Sequence, residues 1–278
     1  MSNKPEQQTN NQRLTQFEPT DLPTTCDYDA AALLLSMLDY DAQLIAIDQC
    51  IRMHRQAEEE LQDEITKIGQ IAERSSGLGC MAAESKWIDC LHHSVYQDAA
   101  RSMAAIGMLA PFIESFFHQL FLALQEHKSR QIVSNHDRWS QIQKIEWDCH
   151  YFFDKRGSRR DLVQGILQLS DATGLGDFLP SDLKPTLQAL FQYRNKMFHH
   201  GFEWPEEERE RFHRTIEQNQ WEDWFEWSKS GEQWWICYMK SSFVDHCLKI
   251  ARSCIKGIGA YYYNREFPNR NRDGNGSS

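Results

Sequence analysis

Apolar residues return at three- and four-residue steps along almost the whole of this 278-residue chain. Leu44, Ile47 and Ile51, and then Leu61, Ile65 and Ile68, fall on one stripe, and Glu58, Glu59, Glu60, Asp63 and Glu64 lie between them. A helix brings residues at such steps onto a single face, and a strand does not. Valine is scarce, two-residue alternation is never sustained, and no Asn-Gly turn separates two apolar runs. The expected fold class is therefore all-α.

The breakers divide this pattern. Asp27–Arg74 reads as one long helix or a kinked pair, closed by Gly77 and Gly79. About forty helical residues would span about 60 Å, which suggests a projecting arm or hairpin over residues 28–78. Glu84–Ser129 forms a second block, in which Pro111 should kink or restart the helix. Further helices are expected over Asn135–Phe153, with Ile142, Ile145, Trp147 and Phe152 inward, and over Arg160–Leu169. Another should start at Ser181 as N-cap and stop at Gly201. Pro205 opens the next, whose acidic first turn suits a helix N-terminus. Trp221–Ser228 and Gln233–Ile258 complete the set, with Val244, Cys247, Ala251, Cys254 and Ile258 as the last apolar stripe. Residues 79–267 form the main domain, flanked by the polar tails 1–27 and 268–278, both expected to be disordered.

Composition narrows the function classes. The formal net charge is −10, which leaves any nucleic-acid contact to a local basic patch. The most apolar stretch, Ile106–Leu124, carries Pro111, Glu114, His118 and Gln119, so it suits a buried helix better than a membrane span. The first residues lack an apolar signal core, and the eight cysteines are scattered, so reduced thiols in a cytoplasmic protein are expected. No phosphate-loop, dinucleotide, zinc-protease or serine-hydrolase motif occurs. Ser181 and Lys184 fit an S-x-x-K string, but the rest of that signature is missing. Cys80, Cys90, His92 and His93 match no paired metal-ligand spacing, so neither a metal nor a cofactor is expected.

The sharpest local feature is Tyr193-Arg194-Asn195-Lys196-Met197-Phe198-His199-His200-Gly201, at the end of an amphipathic helix. Cleaving RNA without a metal needs a base for the 2′-hydroxyl, a cation for the phosphorane and an acid for the leaving 5′-oxygen. His199 suits either proton role, Arg194 offers a fixed fork for phosphate oxygens, and Asn195 could orient one of them or the substrate. Residues five apart lie about 140° apart around a helix, so a second copy across a two-fold axis would complete the cleft. In a purely structural reading, Arg194 pairs with a carboxylate and the two histidines cap the helix.

Arg194-Asn195-x-x-x-His199 resembles the motif of HEPN domains, and Ala105–Phe117 looks similar to an earlier helix of some bacterial members. The resemblance covers residues 83–260. It implies an HEPN-like helical bundle that dimerises and cleaves RNA without metal, leaving a 2′,3′-cyclic phosphate. It also implies a toxin or antiviral role, with an antitoxin or defence-system partner. The other reading is a non-catalytic HEPN-like module that binds RNA, a nucleotide or another protein.

Five groups of residues could support that site. Glu114 is the lone acid of an apolar helix and either supports Arg194 or another catalytic group, or forms a structural ion pair. His200 offers a second, six-residue spacing from Arg194. Lys155, Arg156, Arg159 and Arg160, and the stripe Lys249, Arg252 and Lys256, are the candidate phosphate contacts, or else solvated faces. Trp221, Trp224, Trp227, Trp234 and Trp235 could stack bases or pack a core or a dimer.

Overall fold

The computed structural model describes residues 27–35, 38–126, 136–140 and 145–266. The order is α1 (Asp27–Leu34), α2 (Tyr40–Arg74), α3 (Leu78–Glu126), β1 (Tyr151–Asp154), β2 (Gly157–Arg160), α4 (Leu162–Ala172), α5 (Leu183–His200), α6 (Glu206–Asn219), β3 (Phe225–Ser230), β4 (Gln233–Met239) and α7 (Ser241–Glu266). The protein is mostly helical, as its periodicity requires. Residues 1–26 of the first polar tail, the whole of the second, the end of the second helical block at Ser129 and the position of Ile142 lie outside the described residues, whereas Asp27, the last residue of the expected first tail, opens α1.

The kinked-pair alternative holds at the start of the chain. α1 stops at Leu34, and α2 restarts at Tyr40 with the Asp39 carboxylate accepting the Ala42 N–H at 2.9 Å. Gly77, in the left-handed region at φ +61°, makes the turn into α3, whereas Gly79 lies within the first turn of α3. The 49 residues of α3 span about 73 Å and continue through Pro111, so that proline does not restart the helix. Its apolar stretch passes the length and hydropathy test for a membrane span, but 56% of that window is buried inside the fold.

Three layers meet on α3. Leu109, Ile113, Phe117 and Leu120 are buried against Leu183 and Leu187 of α5, Ile166 of α4 and Ile250 and Cys254 of α7. Leu44 and Ile51 of α2 and Leu34 of α1 join the same cluster, so the first half of the expected arm belongs to the main core. Farther out, Ile65, Ile68 and Ala72 are buried on the α2–α3 hairpin, where Gly69 packs on the Trp87 ring. The stripe Val244, Cys247, Ala251, Cys254 and Ile258 is wholly buried.

Two antiparallel hairpins correct the purely helical expectation. The segment expected as a helix from Asn135 to Phe153 contains a short 3₁₀ turn at Asp137–Ser140 and ends in β1. The basic connector is the rest of that hairpin: Lys155 and Arg156 form its two-residue loop, and Arg159 and Arg160 lie on β2, opposite Phe152 and Tyr151. The expected helix Trp221–Ser228 runs into β3, and the expected helix from Gln233 begins as β4, with α7 starting only at Ser241. Gly231, at φ +63°, and Glu232 form the loop between β3 and β4, a connection that suits aromatic-rich strands. Ser181 is not the N-cap of α5, since that position belongs to Asp182, whose side chain makes no capping bond.

Candidate functional site

α5 positions the motif by burying one side of itself. Tyr193 and Met197 face the core, and the Tyr193 hydroxyl donates to the Cys237 carbonyl of β4 at 2.9 Å. This fixes the rotation of the helix and turns Arg194, Asn195, Phe198, His199 and His200 outward. Gly201, at φ +70°, ends the helix with its N–H on the Met197 carbonyl at 2.9 Å. The neighbouring Lys196 is held by Glu208 of α6, which also binds Arg211 at 2.5 Å.

Arg194 meets Glu114. Its guanidinium lies 3.9 Å from Glu114 Oε2 and 5.7 Å from the centre of the Phe198 ring. The other oxygen of that carboxylate, Oε1, faces His150 Nε2 at 3.0 Å, and His150 Nδ1 faces Asp148 Oδ1 at 2.6 Å. Asp148 also accepts the His150 backbone N–H at 2.9 Å. Burial pushes the Asp148 carboxyl up, but these bonds, with the nearby His150 and His118, outweigh it and hold the group below its ordinary range.

The Asp148–His150 turn is locked from behind by residues that no motif identifies. Arg138 is fully buried and donates to the carbonyls of Glu146 (2.6 Å), Asp148 (2.8 Å) and Tyr151 (2.8 Å) and to Gln168 Oε1 (2.9 Å). Burial lowers its pKa to about 10, so it stays charged at neutral pH. Gln168 of α4 pairs with the backbone of Phe153 through both ends of its amide. α4 comes this close because Gly165 has no Cβ: one placed there would stand 2.0 Å from the Cys149 carbonyl oxygen.

An open cleft results, lined by Glu114, His150, Arg160, Gln164, Arg194 and Asn195. Of the predicted residues, Arg194, Asn195, Glu114 and Arg160 therefore converge. His199 and His200 do not line this cleft; they are exposed in the last turn of α5, with ring centres 6.4 Å apart. Among the described residues no hydrogen bond or ion pair joins Arg194 to His199. Lys155, Arg156 and Arg159 stay on the outer hairpin, where Arg159 covers the Phe152 ring at 4.9 Å. Lys249, Arg252 and Lys256 lie on α7, outside the cleft, and Arg252 is bound to Asp48 of α2 at 2.6 Å.

The tryptophans mainly pack the interior. Trp221 is buried, and Trp224 stacks on Phe243 with centres 4.7 Å apart. The seven described cysteines are all unpaired, and His92 stacks near Trp235, 5.0 Å between centres, rather than joining Cys80. Among the described residues, one group capable of holding a metal does occur, where ligand atoms of His118, Asp148, Cys149 and His150 lie within 4.8 Å of one another. Sequence spacing missed it because His118 and Asp148 are thirty positions apart and the second segment carries no paired spacing. Comparison of this chain with protein-family models, curated proteins and solved structures found no match.

Proposed function

We propose that this chain is an endoribonuclease of the HEPN type that works as a homodimer. The observation that carries this reading is the placement of Arg194 and Asn195 on an open cleft, with Glu114 behind the guanidinium and His199 exposed five residues later on the same helix. The exposed Phe198 ring, 59% accessible between the two groups, suits a surface that a second copy covers.

In this mechanism the RNA 2′-oxygen attacks the adjacent phosphorus and the bond to the 5′-oxygen breaks. Arg194 balances the charge on the phosphorane oxygens, and Glu114 keeps its fork directed at the cleft. One imidazole accepts the 2′-hydroxyl proton, and the other, across the two-fold axis, protonates the leaving 5′-oxygen. The products are a 2′,3′-cyclic phosphate and a free 5′-hydroxyl. Arg160, which also lines the cleft, is the further cation available to steer the backbone of the strand.

The test is incubation of purified protein with transfer and messenger RNA, followed by mapping of the ends. Arg194→Ala and His199→Ala should each lower cleavage by about 100-fold or more with unchanged circular dichroism. Full activity in both variants would overturn the reading, as would 3′-hydroxyl ends.

A further inference from the structure

We propose that His118, Asp148, Cys149 and His150 form a binding site for a zinc-class divalent ion directly behind Glu114. Four donors of suitable type converge from two segments: α3 supplies His118 one turn after Glu114, and the turn before β1 supplies the others. Their ligand atoms already lie within 4.8 Å of one another. A tetrahedral zinc ion with bonds of about 2.0–2.3 Å sets its ligand atoms about 3.3–3.7 Å apart, so the widest pairs would close and the His150 Nδ1–Asp148 Oδ1 pair, now at 2.6 Å, would open as the ion replaces their hydrogen bond.

One further observation points to a ligand. The Nδ1 atom of His118 is buried and has no hydrogen-bond partner, an arrangement that costs free energy unless something occupies it. His150 has a carboxylate oxygen at each ring nitrogen, 2.6 Å from Nδ1 and 3.0 Å from Nε2. With an ion at Nδ1, the Nε2 proton is donated to Glu114, which is how metal-bound imidazoles are usually oriented. The donor set of two imidazoles, one carboxylate and one thiolate suits zinc over magnesium or calcium, and its two negative charges neutralise a divalent ion. Gly165 and Arg138 hold the second segment in place from the other side.

The ion touches no substrate. Through His150 it fixes Glu114, and through Glu114 it positions Arg194. This last consequence rests on the ribonuclease reading; the binding itself does not.

The test strips the full chain with a chelator and titrates it with cobalt(II), whose spectrum reports its ligands. One ion per chain is expected, displaced by zinc, with visible bands of tetrahedral cobalt and a near-ultraviolet sulfur band. His118→Ala and His150→Ala should each lose uptake while keeping their circular dichroism. Cys149→Ser should keep the ion and lose the sulfur band. Glu114→Gln should bind about 10- to 100-fold more weakly. Arg194→Ala should bind normally, so failure of the nuclease reading leaves this result intact. Absence of uptake by the natural chain overturns the proposal. So does uptake unchanged in the two histidine variants, which would place the ion elsewhere, for example near Cys90, His92 and His93.

Discussion

The two β-hairpins have the same topology and opposite tasks. β3–β4 is aromatic and turned inward: Phe225, Ile236, Cys237 and Met239 are buried, and the Cys237 carbonyl holds Tyr193 and so the rotation of α5. β1–β2 is four residues per strand, and only Phe153 among them is buried. Its value lies in the turn that leads into it, which brings Asp148 and His150 to Glu114 and places Arg160 on the cleft wall. One hairpin fixes where the motif helix points, and the other supplies the polar groups that face it. A hairpin can therefore serve a site through its core contacts or through the chain it terminates.

Substitutions should separate these tasks. The largest effect is expected from Phe225→Ala, which empties a site packed against Tyr193, Phe212 and Phe243. It should cost about 3–5 kcal/mol in urea denaturation while leaving the cobalt stoichiometry of the folded fraction unchanged. Next comes Gly165→Ala on the other hairpin. The new methyl would meet the Cys149 carbonyl at 2.0 Å, so α4 and the Asp148–His150 turn must move apart. A loss of about 1–3 kcal/mol is expected, together with weakened cobalt binding and RNA cleavage. If both substitutions altered stability alone, the division between the hairpins would fail.

The smallest effect concerns pH. Asp98 of α3 faces the second hairpin; burial raises its pKa, Arg101 opposes this, and Glu58 and Glu226 add to it. The native carboxyl therefore binds its proton more tightly than an ordinary one. Stability is lost as pH rises from the ordinary value of 3.8 through the raised native pKa, and the cost is complete above it. Asp98→Asn, which cannot ionise, should show its most favourable difference in Tm from the natural chain at neutral pH, shrinking towards pH 4. An equal difference at both pH values would refute this assignment.

Much of the second hairpin was within reach of sequence reasoning. Gly231-Glu232 separates two aromatic-rich runs by two residues, a hairpin signal. It was masked because the apolar stripe of α7 extends smoothly backward into β4. The first hairpin is too short for alternation to show. At the site, Glu114 stood out as a single acid in an apolar helix, and the Arg194-Asn195-x-x-x-His199 motif was plain. His150 was not, since its partner Glu114 is 36 positions away. Arg138 was invisible for a related reason: three of its four acceptors are backbone carbonyls, which carry no sequence mark.

The sequence by itself determined the helical class, the buried faces of α2, α3 and α7, and the stop of α5 at Gly201. These follow from local periodicity and from backbone preferences within a few residues. Only the tertiary structure decided that Arg194, Glu114, His150 and Asp148 form one line of contacts, that Arg252 belongs to Asp48, and that His118 lies beside the turn before β1. Those meetings depend on how distant segments pack, and packing is set by the summed shape of many buried side chains rather than by any local pattern.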